Sequence, residues 1–318
     1  MGEGMSKNML IATQFARDWA MTSTSKTSIE AYTTDSRFLA NMLDRLDFDF
    51  TTLENEELTV ILTTIRERGV QESRVGNLFT ILGAVVDFLV FTNVRDRNPV
   101  PSFRKRYLRR YKAQRGSKVP RFCPSLELTS AIVRTSLTEM ERTIHLFLAK
   151  TGVRRMSILS LNVEDVDLVR KTIRLRDQTK LSTLLLPMDN ELLFQIEMWL
   201  HERRFMAADE HSGPFLVNGR GQRIGENAFG NILTDAGLRH GVHDPTAAKH
   251  EIDRKFTAHC YRHFFTTQMR KSGCPERILA YLRGDAPGSI RDRYDHVDFE
   301  EVEYHYNAHI WKLRGGEF

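Results

Sequence analysis

Residues 151–188 read TGVRRMSILSLNVEDVDLVRKTIRLRDQTKLSTLLLPM. Leu168 to Leu175 and Leu181 to Met188 alternate, or run apolar, in the manner of strands, and the polar stretch Arg176 to Lys180 lies between them. This predicts a hairpin that carries Lys180 near its turn. The flanks have helical spacing instead. Leu126 to Ala149 reads as one or two helices and Glu191 to Met206 as another, with a loop at Gly219–Gly225. Further helices are expected over Glu226–Leu238, Arg262–Ser272, Pro275–Leu282 and Glu300–Leu313. Residues 122–318 are therefore expected to form a mainly α domain with one small antiparallel sheet.

Upstream of this domain the segment 95–121 reads RDRNPVPSFRKRYLRRYKAQRGSKVPR. It holds eleven Lys or Arg and one Asp, so it carries +10, while the whole chain carries only +5. The rest of the chain sums to −5. Pro99, Pro101, Pro120 and Gly116 punctuate the segment, as at a boundary between folded units. A solvated connector is the plain reading. The charge density favours a linker that follows a phosphate backbone by releasing counterions. Arg104, Lys105, Arg106, Arg109, Arg110, Lys112, Arg115 and Lys118 are its candidate DNA contacts.

Ahead of the linker, residues 1–94 are expected to form a helical domain. Tyr32, Leu39, Met42, Leu43 and Leu46 make one stripe on a helix that Thr27 or Ser28 could cap. Leu58, Ile61, Leu62 and Ile65 make a second, stopped by Gly69. Val75, Leu78, Phe79, Leu82, Val85, Val86 and Leu89 make a third. All read as core.

Composition narrows the function classes. The chain has 318 residues, 41% of them hydrophobic and 27% charged, which suits a soluble two-domain protein. Cys123, Cys260 and Cys274 form no C-x-x-C pair, so neither a disulfide framework nor a cysteine-built zinc site is expected, and a reducing compartment fits. MGEGMSKNML lacks the apolar stretch of a signal peptide, and the run Ile81–Phe91 is too short to span a bilayer. A cytoplasmic, nucleoid-associated protein without membrane contact is expected. No P-loop, H-E-x-x-H or G-x-G-x-x-G follows a strand, and His259 with His263 make a pair without a third metal ligand. No cofactor or metal is called for.

An ordered set remains. Arg154 sits in T-G-V-R, Lys180 on the expected hairpin, His259 and Arg262 in HCYRH, and Tyr294 in RDRYDHV. Each piece is weak alone. Their joint order resembles the tyrosine recombinase (phage integrase, Xer-like) family over most of the chain: a helical core-binding domain, a basic linker and a catalytic domain. The resemblance implies a site-specific DNA recombinase or integrase that cuts and rejoins duplex DNA through a covalent 3′-phosphotyrosine. It implies catalytic roles for Arg154, Lys180, His259, Arg262 and Tyr294, and four protomers acting on two DNA sites, with a monomer free in solution. It also implies that the apolar tail through Trp311 and Leu313 docks onto a neighbouring protomer.

The chemistry explains why such residues would be used. Attack on a phosphodiester passes through a five-coordinate phosphorus with extra negative charge, so positioning and charge stabilisation do most of the work. Arginines grip phosphate oxygens with paired donors and keep their charge. A tyrosine, with a pKa of about 10, needs neighbouring cations or a proton acceptor to attack at neutral pH. A lysine can protonate the leaving 5′ oxygen. The tyrosyl ester conserves the bond energy for rejoining. Arg155 competes with Arg154, Lys171 with Lys180, and Tyr304 or Tyr306 with Tyr294.

The sequence departs from the family in three places. The family's L-G-H becomes Leu282-Arg283-Gly284-Asp285, which puts a carboxylate nine residues before Tyr294 where a histidine is usual. A carboxylate cannot donate to phosphate and repels it. Asp285 is expected to orient Arg283 or another cation; otherwise His263 or His296 supplies the donor, or the enzyme works without it. Ser157 replaces a frequent glutamate, whereas Asp165 matches a common family acid that supports the site indirectly. Tyr261 replaces the usual leucine and reads as a packing change. These departures keep two other classes open, a DNA-binding protein of recombinase ancestry that no longer cleaves and a type IB-like topoisomerase.

Overall fold

Serine and threonine hydroxyls ahead of apolar stripes set many of the helix starts. In this computed structural model the described residues are 5–23, 25–108, 121–177, 182–248, 251–285 and 297–314. The chain divides into two compact units, Met1–Lys118 and Val119–Phe318.

The first unit holds α1 (Lys7–Thr22), α2 (Lys26–Leu46), α3 (Asn55–Glu67), α4 (Glu72–Phe91) and α5 (Val100–Tyr107). Ser6 caps α1 and Ser25, not Thr27 or Ser28, caps α2. The three expected stripes are buried largely as read, with Leu39, Leu58, Ile61, Val75, Leu82 and Val86 all fully inside. Helix α4 is long and apolar enough to cross a membrane, but its stripe forms the centre of this core. Two helices were not foreseen. Helix α1 has only Ile11, Ala12 and Phe15 as buried apolar residues, too sparse a stripe to stand out. It is secured by the stack of Trp19 on Tyr32, with centroids 4.0 Å apart, and by Asn8, which bonds Asp44 and the backbone of Phe48 and Phe50.

Helix α5 lies inside the expected linker. Pro99 and Pro101 bracket its first turn, where proline costs no hydrogen bond. Val100 and Phe103 are buried, and Phe103 stacks on Phe79. Arg95 donates to the carbonyls of Phe50 (2.9 Å) and Leu53 (2.7 Å), and Arg104 donates to the Thr80 hydroxyl (2.8 Å). Part of the +10 segment is therefore folded into the first unit, and Arg95 and Arg104 have structural work. Lys105 and Arg106 are exposed on α5; Arg109, Arg110, Lys112, Arg115 and Lys118 lie outside the described residues.

The second unit holds α6 (Leu126–Arg134), α7 (Glu139–Thr151), α8 (Arg155–Leu159), β1 (Val166–Asp167), β2 (Thr172–Asp177), β3 (Ser182–Pro187), α9 (Asn190–Arg203), α10 (Glu226–Arg239), α11 (Ala258–Lys271), α12 (Glu276–Leu282) and α13 (Phe299–His309). The strands pair antiparallel in the order β1-β2-β3, with Thr172 opposite Pro187 and Asp177 opposite Ser182. The hairpin is thus where the sequence put it, and Lys180 falls in its connection, outside the described residues. Residues 168–171, expected in the strand, form a turn instead: the Asp167 carboxylate accepts from the Arg170 amide and Lys171 has φ +53°. Strand β1, only two residues long, carries no legible period.

Helices α7, α9 and α11 bury Phe147, Ile196, Trp199, Phe264 and Phe265 in one core. Buried Arg203 spends its donors on the carbonyls of Pro214, Asp209, Glu210 and Ser212, which pins the loop after α9. Helix α13 ends at His309, short of the expected Leu313, and the tail turns inward. Trp311 packs on Phe264 and Phe265, Leu313 is buried, and both Glu191 carboxylate oxygens accept from the Leu313 amide at 3.1 Å. The tail expected to reach a neighbouring protomer is held by its own chain. Buried polar partners that wait for its backbone, Lys150 and Glu191, are the physical reason.

Candidate active site

Three elements bring the site together. Helix α7 ends at Gly152, in the left-handed region at φ +60°. A Cβ there would come 2.6 Å from the Phe265 ring on α11, so only glycine allows both the turn and the close approach. That approach lets the Gly152 carbonyl accept from Arg262 Nη1 at 2.9 Å. Two residues on, Arg154 occupies the N-cap of α8 with extended backbone.

Helix α11 starts one turn earlier than expected. Thr257 caps it in a box with Cys260, so His259 and Arg262 fall on the same helix, in its first two turns. Arg262 is nearly buried, at 7% side-chain exposure, whereas Arg154 is 55% exposed. Burial opposes the Arg262 charge and draws its pKa down, and Asp285 counters that. His259 is also drawn below its usual value, first by partial burial and then by the positive neighbours Arg121, His263, Arg262 and Arg154. The positive end of the helix acts in the same direction. His259 is thus a neutral imidazole at neutral pH. Its ring meets that of His263 edge to face, 5.4 Å between centroids. His263 is lowered for the same kinds of reason.

The third element is the end of α12. Gly284 has φ +59°, its amide bonds the Tyr281 carbonyl, and the Asp285 amide reaches back to the Ala280 carbonyl. This is a Schellman ending, and it delivers three acceptors to the arginines. The Arg283 carbonyl takes Arg262 Nη1 at 3.0 Å and the Gly284 carbonyl takes Arg154 Nη1 at 3.2 Å. The Asp285 carboxylate takes the rest. Its Oδ1 lies 2.6 Å from Arg262 Nη2 and 3.5 Å from Arg154 Nη2, and its Oδ2 lies 3.1 Å from Arg283 Nη2. Two arginines distant in sequence therefore converge on one anionic oxygen.

The rivals have other occupations. Arg155 pairs with Glu226. Lys171 bonds the Asn190 side chain at 2.8 Å. Tyr306 is fully buried and burial pushes its pKa far up, while Tyr304 is exposed. Tyr294 and His296 lie outside the described residues. Asp165 does not reach the arginines: it caps the turn at Asn162 and pairs with Arg176 on β2 at 2.8 Å, so its support runs through the hairpin.

Sequence reasoning missed the layer beneath. Tyr261 is more than a packing change. It is buried and its hydroxyl lies 2.8 Å from His145 Nδ1, while His145 Nε2 faces Glu141 at 3.6 Å and Glu141 pairs with Arg239. With the ring proton on Nε2, toward the carboxylate, Tyr261 donates to Nδ1. This chain ties α11 to α7 behind the arginines. Neighbouring residues of α11 thus point both ways, Tyr261 into the core and Arg262 at the carboxylate. Arg121, the last residue of the basic segment, is the other omission; only its influence on the histidines reveals it.

A mainly helical unit with a three-stranded antiparallel sheet brings two arginines onto one carboxylate, with His259 on the same helix as one of them. Residues 126–301 match the model of the phage integrase family. The match covers more than half of the chain, which therefore belongs to that family. The chain is 24% identical to tyrosine recombinase XerC of Chromobacterium violaceum over 301 residues, 93% of this chain and 92% of that protein. Its fold matches the Tn1549 transposon integrase in complex with transposon right end DNA, with TM-score 0.67 and 15% identity over 93% of this chain and 98% of the other. It also matches a lambda integrase tetramer bound to a Holliday junction, with TM-score 0.64 and 12% identity over 91% and 80%.

Proposed function

We propose that the protein is a tyrosine-type site-specific DNA recombinase that cuts and rejoins duplex DNA through a 3′-phosphotyrosine ester. The observation that carries the reading is the convergence of Arg154 and Arg262 on a single oxygen of Asp285. That oxygen stands in for a phosphoryl oxygen. Guanidinium groups fixed by backbone carbonyls need little reorganisation when charge builds on phosphorus. Arg154 and Arg262 bind the scissile phosphate, Tyr294 attacks it, and neutral His259 takes a hydrogen bond or the proton from the nucleophile. Lys180, on the hairpin steadied by Asp165 and Arg176, protonates the leaving 5′ oxygen. Rejoining reverses the steps with a 5′ hydroxyl and needs no high-energy cofactor.

Duplex DNA and further copies of the chain are the partners, in the cytoplasm at the nucleoid, and a tetramer on two sites is the working assembly. The helical first unit, residues 1–94 together with α5 packed onto them, serves as a second DNA clamp. Lys105 and Arg106, with the basic residues that follow to position 121, supply phosphate contacts, which position the enzyme without reading sequence.

A nicked suicide duplex tests the reading. Wild type accumulates a covalent adduct on a cognate site, and Tyr294→Phe does not. A wild-type chain that binds the site but leaves no adduct is a binder of recombinase ancestry. Relaxation of any supercoiled plasmid by monomers, without site preference, identifies a topoisomerase.

A further inference from the structure

The carboxylate at position 285 has more than an orienting part. Its Oδ1 occupies the point where both Arg154 and Arg262 aim their Nη2 donors, at 3.5 and 2.6 Å. Both Arg262 Nη1 hydrogens are already taken by the carbonyls of Gly152 and Arg283, and one Arg154 Nη1 hydrogen by that of Gly284. A phosphate gripped by both arginines needs those Nη2 donors, and it cannot share the space with a carboxylate oxygen. Two anions at such a distance repel each other strongly when partly screened from water. The carboxylate must therefore move when phosphate arrives. A second position is at hand: Oδ2 already lies 3.1 Å from Arg283 Nη2, and Arg283 belongs to the same turn. Asp285 is 29% exposed at the side chain, and a rotation toward Arg283 keeps one of its ion pairs.

We propose that Asp285 is a displaceable gate: with no DNA bound its carboxylate fills the anion seat between Arg154 and Arg262, and a DNA phosphate enters by shifting it onto Arg283. The proposal rests on the recombinase reading for its ligand, the phosphodiester of duplex DNA. Its consequence is selectivity. A small free anion must meet the whole cost of displacing the carboxylate, whereas a phosphate in duplex DNA is delivered by many other backbone contacts. The three arginines and one carboxylate sum to +2, enough to hold a monoanionic diester. Removing the carboxylate raises this to +3 and opens the seat to any phosphate.

The probe is inorganic phosphate, titrated calorimetrically at fixed ionic strength into the full chain. Asp285→Asn, of nearly the same size, binds it about tenfold tighter than wild type. Glu197→Gln, which removes an exposed charge on α9, binds like wild type and controls for net charge. Adding Arg262→Lys to Asp285→Asn abolishes the gain. Phosphate binding by Asp285→Asn that is equal to or weaker than wild type overturns the gate and leaves Asp285 a positioning residue. A gain that survives Arg262→Lys also overturns it, because the phosphate then sits elsewhere. Failure of the recombinase reading is distinguishable, since it appears as a missing adduct in wild type whatever the phosphate affinities are.

Discussion

Two clusters of opposite charges lie in the second unit, and they are built on contrary plans. Lys150 is fully buried, 2.7 Å from Asp189 and 2.6 Å from Glu191, and it also bonds the Trp311 carbonyl. Glu191 in turn holds the Leu313 and Arg314 amides. Every group has its partner, and the cluster locks the tail to the core. The Asp285 cluster has three arginines on one carboxylate, one of them more than half exposed. Its surplus is positive and faces outward. Buried charges matched by protein groups serve the fold; a positive excess held rigid at a surface serves a ligand. The comparison can be broken by treating both clusters alike.

The largest effect is expected at the closed cluster. Lys150→Met leaves Asp189 and Glu191 buried without their cation and removes the Trp311 contact. A loss of about 3–5 kcal/mol in unfolding free energy is expected, measured by urea denaturation. A loss below about 1 kcal/mol would erase the contrast.

Arg154→Lys should do the reverse. Lysine cannot keep both the Gly284 and the phosphate contacts. Strand cleavage should fall about 10²–10³-fold, as when one oxyanion donor is removed, with stability changed by no more than about 0.5 kcal/mol. Single-turnover cleavage and a melting curve on the same sample decide it.

The smallest effect concerns pH and sharpens the picture of the layer behind the arginines. Burial raises the pKa of Glu141, but contacts from His145, the Leu137 amide and Arg239 outweigh it and hold the carboxyl at about 2, against an ordinary 4.5. A carboxyl lowered by folding stabilises fully above about pH 4.5 and loses that contribution as pH falls toward 2. His145 is lowered by burial. The unfolded chain therefore takes up its proton first, and stability also declines as pH falls below about 6.5. Melting temperature should drop in two stages, and Glu141→Gln should flatten the one below pH 4.5.

Local signals were legible in the sequence. Apolar stripes placed α2, α3 and α4, alternation placed the β2–β3 hairpin, and the helix expected over Pro275–Leu282 is α12. Arg154 and Arg262, read as part of a set, meet on one carboxylate, and His259 shares the helix of Arg262. What stayed hidden depends on partners far away in the chain. Helix α5 reads as a charged connector until Phe79 gives Phe103 a place, and the tail reads as an amphipathic helix until Lys150 and Glu191 capture its backbone. Tyr261 reads as a leucine substitute until His145 receives its hydroxyl. Asp285 was expected to orient Arg283 or another cation, and it does pair with Arg283; the turn at Gly284 adds that the same carboxylate also meets Arg154 and Arg262.

The most direct test of the central claim is to identify the residue joined to DNA. Wild-type protein is trapped on a nicked cognate duplex, digested with protease and nuclease, and mapped by mass spectrometry. The account predicts a 3′-phosphonucleotide on Tyr294, formed slowly by Arg154→Lys and not at all by Tyr294→Phe. A nucleotide on Tyr304 or another side chain, or no linked peptide from protein that occupies the site, would contradict it.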